Sequence, residues 1–246
     1  MKRLFITFLI LASQIAFADE KELFKQANNA YAEQQFDSAL EIYTQLIEEG
    51  WQSAAIYFNT GNCYFRLNSI GKAILYYEKA KKLAPDDPDI QANLKLAESQ
   101  KIDDFEVVPT PAFTRIFNSI LSVFSNSNWL IIGIILIFLS ATALTLFLLS
   151  KNKSTLRFGL YLSFGVLGIL FLFLGNLKVN QEENSRFAVL TVSNAYVKSE
   201  PNTGEDLFIV HEGTKAKIEE TFNAWVKVRF PDGKTGWVLA ESFESI

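Results

Sequence analysis

Cysteine occurs once in the 246 residues, as Cys63, and histidine once, as His211. One thiol excludes an intramolecular disulfide, and one imidazole with no cysteine near it leaves no recognisable zinc constellation. Positive charge is never concentrated enough to suggest a nucleic-acid surface: the net charge is −4, the pI is near 5.2, and most lysines and arginines have acids nearby. Nucleic acid is therefore not an expected partner. No nucleophile–base pairing or ligand spacing is visible either, so no catalytic, cofactor-binding or metal-ligating residue is nominated, and the chain reads as non-enzymatic.

What the chain does have is apolar surface, unevenly spread. Residues 1–18, "MKRLFITFLILASQIAFA", carry Lys2 and Arg3, then an apolar run, then Ala16-Phe17-Ala18 before the acidic "DEKE". This is the pattern of a secretory signal peptide cleaved after Ala18, and the run is short for the roughly 20 residues that cross a bilayer. An uncleaved anchor is the alternative, and either way the following chain is exported. Residues 129–150 and 158–177 contain no charge, and each is long enough for a transmembrane helix. Gly165 and Gly168 in the second, with Ser140 and Ala141 in the first, suit close helix packing.

The loop between them, 151–157, holds Lys151, Lys153 and Arg157 without an acid, whereas the twenty residues before the first span carry only Arg115. By the positive-inside rule the loop is cytoplasmic, which places the flanking segments outside, as does the signal peptide. The expectation is a two-pass protein of the inner (cytoplasmic) membrane, in contact with the lipid bilayer, with both soluble regions periplasmic.

Residues 19–100 have helical periodicity and repeat at 34 residues: Leu23 falls on Tyr57, Ala27 on Gly61, Asn28 on Asn62, Ala39 on Ala73 and Tyr43 on Tyr77. The unit closes at Pro85. This resembles the tetratricopeptide repeat, a 34-residue helix–turn–helix. Two repeats leave an apolar face exposed, and "IQANLKLAESQ", with Ile90, Leu94 and Ala97 on one stripe, serves as a capping helix. On that packed face Cys63 behaves as a small hydrophobe; a redox role would need a low-pKa neighbourhood that the sequence does not display.

After a proline-containing linker, 101–111, residues 112–125 place Phe113, Ile116, Phe117, Ile120, Leu121 and Phe124 on one face of a helix, with Thr114, Asn118, Ser119 and Ser122 opposite. Beside a membrane span this reads as an interfacial helix, although the same face could pack against the repeats or the spans. From 185 to 246 the period changes to two. Six strands are expected, "FAVLTV", "AYVKS", "LFIVH", "AKIEETF", "AWVKVRF" and "TGWVLA", in a small barrel. "NAYVKSEPNTGEDLFIVHEGT" followed by "AWVKVRFPDGKTGWV" resembles bacterial SH3-like domains.

The fold class expected is thus a multi-domain membrane protein: an α-helical tetratricopeptide repeat domain, a two-helix transmembrane hairpin and a small all-β SH3-like barrel. This order of parts resembles the BatE-type proteins of the Bat aerotolerance family. The resemblance implies partners such as von Willebrand factor A-like membrane proteins and a MoxR-type ATPase, and a role in an envelope complex linked to stress or oxygen tolerance. It implies no catalytic residue.

Peptide-binding tetratricopeptide domains meet their ligand on the inner face of each first helix. By register those positions here are Phe24, Asn28 and Tyr31, then Phe58, Asn62, Phe65 and Arg66. An asparagine amide can both donate to and accept from an extended peptide, but the same residues could instead pack between helices. In the barrel Tyr196, Trp225 and Trp237 could form an aromatic groove for a proline-rich or cell-wall peptide, peptidoglycan included, or could be core and strand-pairing residues. His211 reads as a turn residue.

Overall fold

The computed structural model describes residues 21–106, 108–109, 111–150, 155–183 and 186–246; the signal-peptide expectation and most of the 151–157 loop lie outside them. Two compact units emerge, one from residues 21–106 together with Arg186–Ile246, the other from residues 108–183.

In the first unit, residues 21–32 are helical (α1), followed by α2 (Phe36–Glu48), α3 (Ala54–Arg66), α4 (Ile70–Leu83) and α5 (Pro88–Glu98). The 34-residue period is visible atom by atom. Gln34 and Asn68, the turn residues between paired helices, adopt φ of 61° and 60°. Ser53 and Asp87 cap α3 and α5 by accepting backbone N–H groups of the first turn. Ala27, Ala39, Ala73 and Ala80 are fully buried where helices cross, and Gly61 lies so close to the Tyr77 ring that a Cβ would stand 2.7 Å from it. The expected cap, α5, keeps the repeat register and is the first helix of a third unit.

The same unit holds seven strands: β1 (Phe187–Leu190), β2 (Asn194–Lys198), β3 (Asp206–His211), β4 (Lys215–Phe222), β5 (Trp225–Arg229), β6 (Thr235–Leu239) and β7 (Phe243–Ser245). All pairings are antiparallel, in the order β3-β2-β6-β5-β4-β1-β7. The seventh strand was not expected, because three residues after a 3-10 turn are too few to show a period. Inward residues of every strand meet in one core that includes Leu190, Val197, Val210, Ala216, Val228 and Val238.

The helical repeats and the sheet are not separate bodies. β1 is buried on both faces: Ala188 and Leu190 enter the sheet's core, while Val189 joins Ile74, Leu75, Tyr77 and Leu94 in the core of the repeats. The continuous apolar run "FAVL", in place of alternation, is what such a strand requires. Gly71, at the start of α4, is the close-approach point, since a Cβ there would be 2.7 Å from the Leu190 carbonyl oxygen. Its N–H donates to Glu212 Oε2 at 3.1 Å. Around it the Glu78 carboxylate meets Lys215 Nζ at 2.8 Å, and Lys82 Nζ donates to the Ile246 carbonyl at 3.0 Å.

The second unit contains α6 (Ala112–Ser122), α7 (Asn126–Leu149) and α8 (Thr155–Glu183). α7 and α8 are long and apolar enough to cross a membrane, with mean hydropathies of 2.7 and 2.2. They pack antiparallel over small residues: Gly133 against Leu172, Gly168 against Ile137, Gly175 against Trp129 and Leu130, and Gly165 beside Ser140, whose hydroxyl donates to the Tyr161 carbonyl at 3.0 Å. α8 runs six residues past the apolar stretch, to Glu183. Its Lys178 Nζ donates to the Phe124 carbonyl at 2.7 Å, and Trp129 Nε1 donates to the Leu121 carbonyl at 3.0 Å. These bonds and the Phe124–Trp129–Phe171 ring cluster hold Leu121 and Phe124 against α7 and α8. Phe113, Ile116, Ile120 and Val123 remain exposed.

Candidate functional site

The repeat-face candidates form two copies of one cluster. Asn28 Oδ1 accepts from the Tyr43 hydroxyl at 2.6 Å and from Asn59 Nδ2 at 3.1 Å. Thirty-four residues later Asn62 Oδ1 accepts from Tyr77 at 2.7 Å and from Asn93 at 3.0 Å. Burial pushes both tyrosine hydroxyls well above their ordinary pKa, so they remain donors. The carbonyl end of each asparagine is thus occupied within the protein. Among the described residues the Asn28 amide NH2 has no partner, and that of Asn62 has only Asn59 Oδ1 at 3.4 Å. Each amide therefore has more donor than acceptor capacity left for a ligand.

Phe24 packs edge-on against Tyr43 at 6.0 Å, and Phe58 lies 5.8 Å from Tyr77, so these two rings wall the same clusters. Tyr31 and Arg66 meet on Phe36: one ring at 5.2 Å, the guanidinium at 5.0 Å from the centroid. Phe65 is half-buried beside the second core. Cys63 is completely buried, and burial pushes its thiol up to about 12, which keeps it protonated and unreactive.

In the barrel, Val226, Val228 and Val238 point into the core, so their neighbours Trp225 and Trp237 stand on the outer face. Tyr196 is outward too, 53% exposed and opposite Ile209. Trp237 sits in register between Lys198 and Lys227, with Phe222 edge-on at 6.5 Å. Trp225 is covered despite its outward position, 9% exposed, because the β2–β3 loop folds over it and Asn202 Oδ1 accepts its indole N–H at 3.0 Å. Tyr196, Trp237 and Leu239 therefore share the open outer face of β2 and β6, and Trp225 lies covered beside them on β5.

A constellation missed from sequence centres on Asp103. Its Oδ2 accepts from His211 N–H at 2.6 Å and the Thr214 hydroxyl at 2.7 Å, and its Oδ1 lies 2.8 Å from His211 Nδ1. Burial alone would raise the Asp103 pKa, but these hydrogen bonds and the His211 charge outweigh it and hold the carboxyl below its ordinary value. Two residues on, Phe105 stacks on Phe230 at 5.5 Å and packs against the barrel core. His211 is therefore the anchor of a strap, and residues 101–106 of the expected linker are fastened to the barrel. No periodic signal announces a contact between residues 108 positions apart.

Residues 24–88 match the family model described as Tetratricopeptide repeat. Residues 193–244 match that of the Bacterial SH3 domain. No curated protein matches the chain. Both matched regions lie within the first unit, so its two halves are similar to two kinds of module that typically bind and do not catalyse.

Proposed function

We propose that this protein is a non-enzymatic, membrane-anchored scaffold that binds protein partners through its repeats and its SH3-like domain. One observation carries this reading: a repeat face with spare amide donors and a barrel face with exposed aromatics are fixed in a single unit, in a chain that also has two membrane-length helices. Both soluble regions are read as extracytoplasmic, from the signal-peptide pattern and the basic 151–157 loop. The resemblance to BatE-type proteins supports placement in a Bat-type envelope complex with von Willebrand factor A-like proteins. The alternative is a module that binds peptidoglycan or cell-wall peptides and recruits an envelope enzyme, favoured by the Tyr196–Trp237 face.

Co-purification of the whole chain from native membranes tests the choice. The scaffold is expected to retain a defined protein set that is lost on replacing the exposed Arg66 and Tyr196 (R66E, Y196A), and to stay in the supernatant over purified sacculi. Retention on sacculi without protein partners would overturn the first reading in favour of the second. The whole chain is needed, because an isolated 185–246 segment would lack Phe105 and expose Val189.

α6 is read as lying on the bilayer surface, since its bare face, Phe113, Ile116 and Ile120, continues from helices of membrane length. Nitroxides on Ile116→Cys and Ser119→Cys in liposomes should report oxygen contact at the first and contact with a water-soluble nickel relaxant at the second. Nickel contact at both, or shielding at both, would show water or protein where lipid is proposed.

A further inference from the structure

We propose that the cleft between the last repeat helix, the strap and the barrel is a binding site for an acidic peptide segment with an apolar side chain. It lies apart from the repeat face and the barrel's aromatic face and goes beyond the scaffold reading. The cleft encloses about 790 Å³, within the roughly 300–1,000 Å³ of ordinary ligand sites. Phe105, Phe187 and Phe230 supply its apolar lining, from the strap, β1 and the end of β5.

Its charge is the informative part. Five cations line it, Lys95, Lys101, Lys215, Lys217 and Arg229, against the carboxylates of Glu98, Asp103 and Asp104. Asp103 is already held by His211 and Thr214. Lys217 and Arg229 stand directly opposite each other on β4 and β5, and Lys215 is on the same face of β4 two residues away. Like charges opposed across two strands destabilise a sheet, and opposite or neutral pairs would serve the fold better. Arg229 is relieved by Glu219 at 2.5 Å and Lys215 by Glu78 at 2.8 Å. Lys217 has no ion pair among the described residues, nor do Lys101 and Lys95.

A cluster of cations only partly neutralised by the protein's own carboxylates, at the rim of an aromatic-lined cleft, is the pattern of a binding site. Carboxylates of an incoming segment would supply the missing counter-charge to Lys217 and Lys101, and an apolar side chain between them would cover Phe187, which is 38% exposed. The site is composite, because its walls come from α5, the strap and the barrel together.

The probe is a fluorescein-labelled acetyl-Glu-Glu-Phe-Glu-Glu-amide, titrated against the whole chain in detergent and read by anisotropy. Binding is expected, weakening as salt rises from about 0.05 to about 0.3 M, and absent for the peptide with Gln in place of Glu. Lys217→Glu and Lys101→Glu should each weaken it roughly tenfold. Because Lys217→Glu places an acid opposite Arg229, it should melt at the same temperature as the wild type or higher, so that binding and stability move apart. Lys101→Glu, outside the barrel, gives the same readout without touching the sheet. Lys25→Glu, an exposed position on α1 outside the cleft's lining, should leave binding unchanged. No binding, equal binding of the Gln peptide, or binding indifferent to both lysine changes would each overturn the proposal.

Discussion

Replacing Gly71 by leucine is expected to release the barrel from the repeats. The added Cβ would stand 2.7 Å from the Leu190 carbonyl oxygen and 3.0 Å from the Gly213 nitrogen, both backbone atoms that no rotamer change can move. In a side-chain core the neighbours would adjust; here the two halves must separate. An overpacking penalty of roughly 1–3 kcal/mol, at about 1.4 kcal/mol per tenfold, raises the undocked population from about fivefold to about 140-fold. Undocking also exposes Val189 and Ile74, buried in the wild type, and breaks the Gly71–Glu212 and Lys215–Glu78 contacts. The strap is the place to read it. Limited proteolysis after Lys101 should accelerate by a comparable factor, while the helices of the repeats stay protected. Unchanged cleavage would mean that Gly71 is not the point of contact.

Asp103→Asn is the second large effect. The carboxylate accepts hydrogen bonds from a backbone N–H, an imidazole and a hydroxyl, with 14% of its side chain exposed. An amide in its place must turn its NH2 toward one of those donors. Bonds to a charged acceptor contribute about 1.5–3 kcal/mol each and do not add, so a total near 3 kcal/mol is reasonable. For a unit of this size that lowers Tm by about 6–12 °C.

The pH dependence has a definite sign. The Asp103 pKa is lowered in the folded state, so its stabilisation is fully present above the ordinary value of 3.8 and is lost as pH falls through the lower folded value. The variant has no such proton to bind. The Tm difference between wild type and Asp103→Asn should therefore be wide at neutral pH and narrow below the ordinary aspartate range. A difference independent of pH would show that shape, not charge, fastens the strap.

Much of this was legible before any coordinates, for identifiable reasons. The tetratricopeptide period is written in small residues and tyrosines, Ala27, Gly61, Tyr43 and Tyr77, whose spacing the helix geometry dictates. The membrane-length helices follow from uninterrupted apolar runs, and the strands from alternation and turn residues. What escaped detection is what joins these parts. Val189 looked like any strand residue, although an unalternated "FAVL" signals burial on both sides. The asparagines did repeat, but only the packing of the helices brings Tyr43 and Tyr77 onto their carbonyls. Asp103, Glu78 and Lys215 meet partners more than a hundred residues away, where no local pattern can point.

The repeats and the barrel are proposed to act as one docked binding unit, and a photo-crosslink tests that directly. Lys82 reaches the Ile246 carbonyl across 164 residues of chain. With benzoylphenylalanine at position 82 in the whole protein, irradiated in intact membranes, an intramolecular link to the peptide containing residues 240–246 is expected, lost in Gly71→Leu. Links to other molecules alone, with none to that peptide, would contradict it.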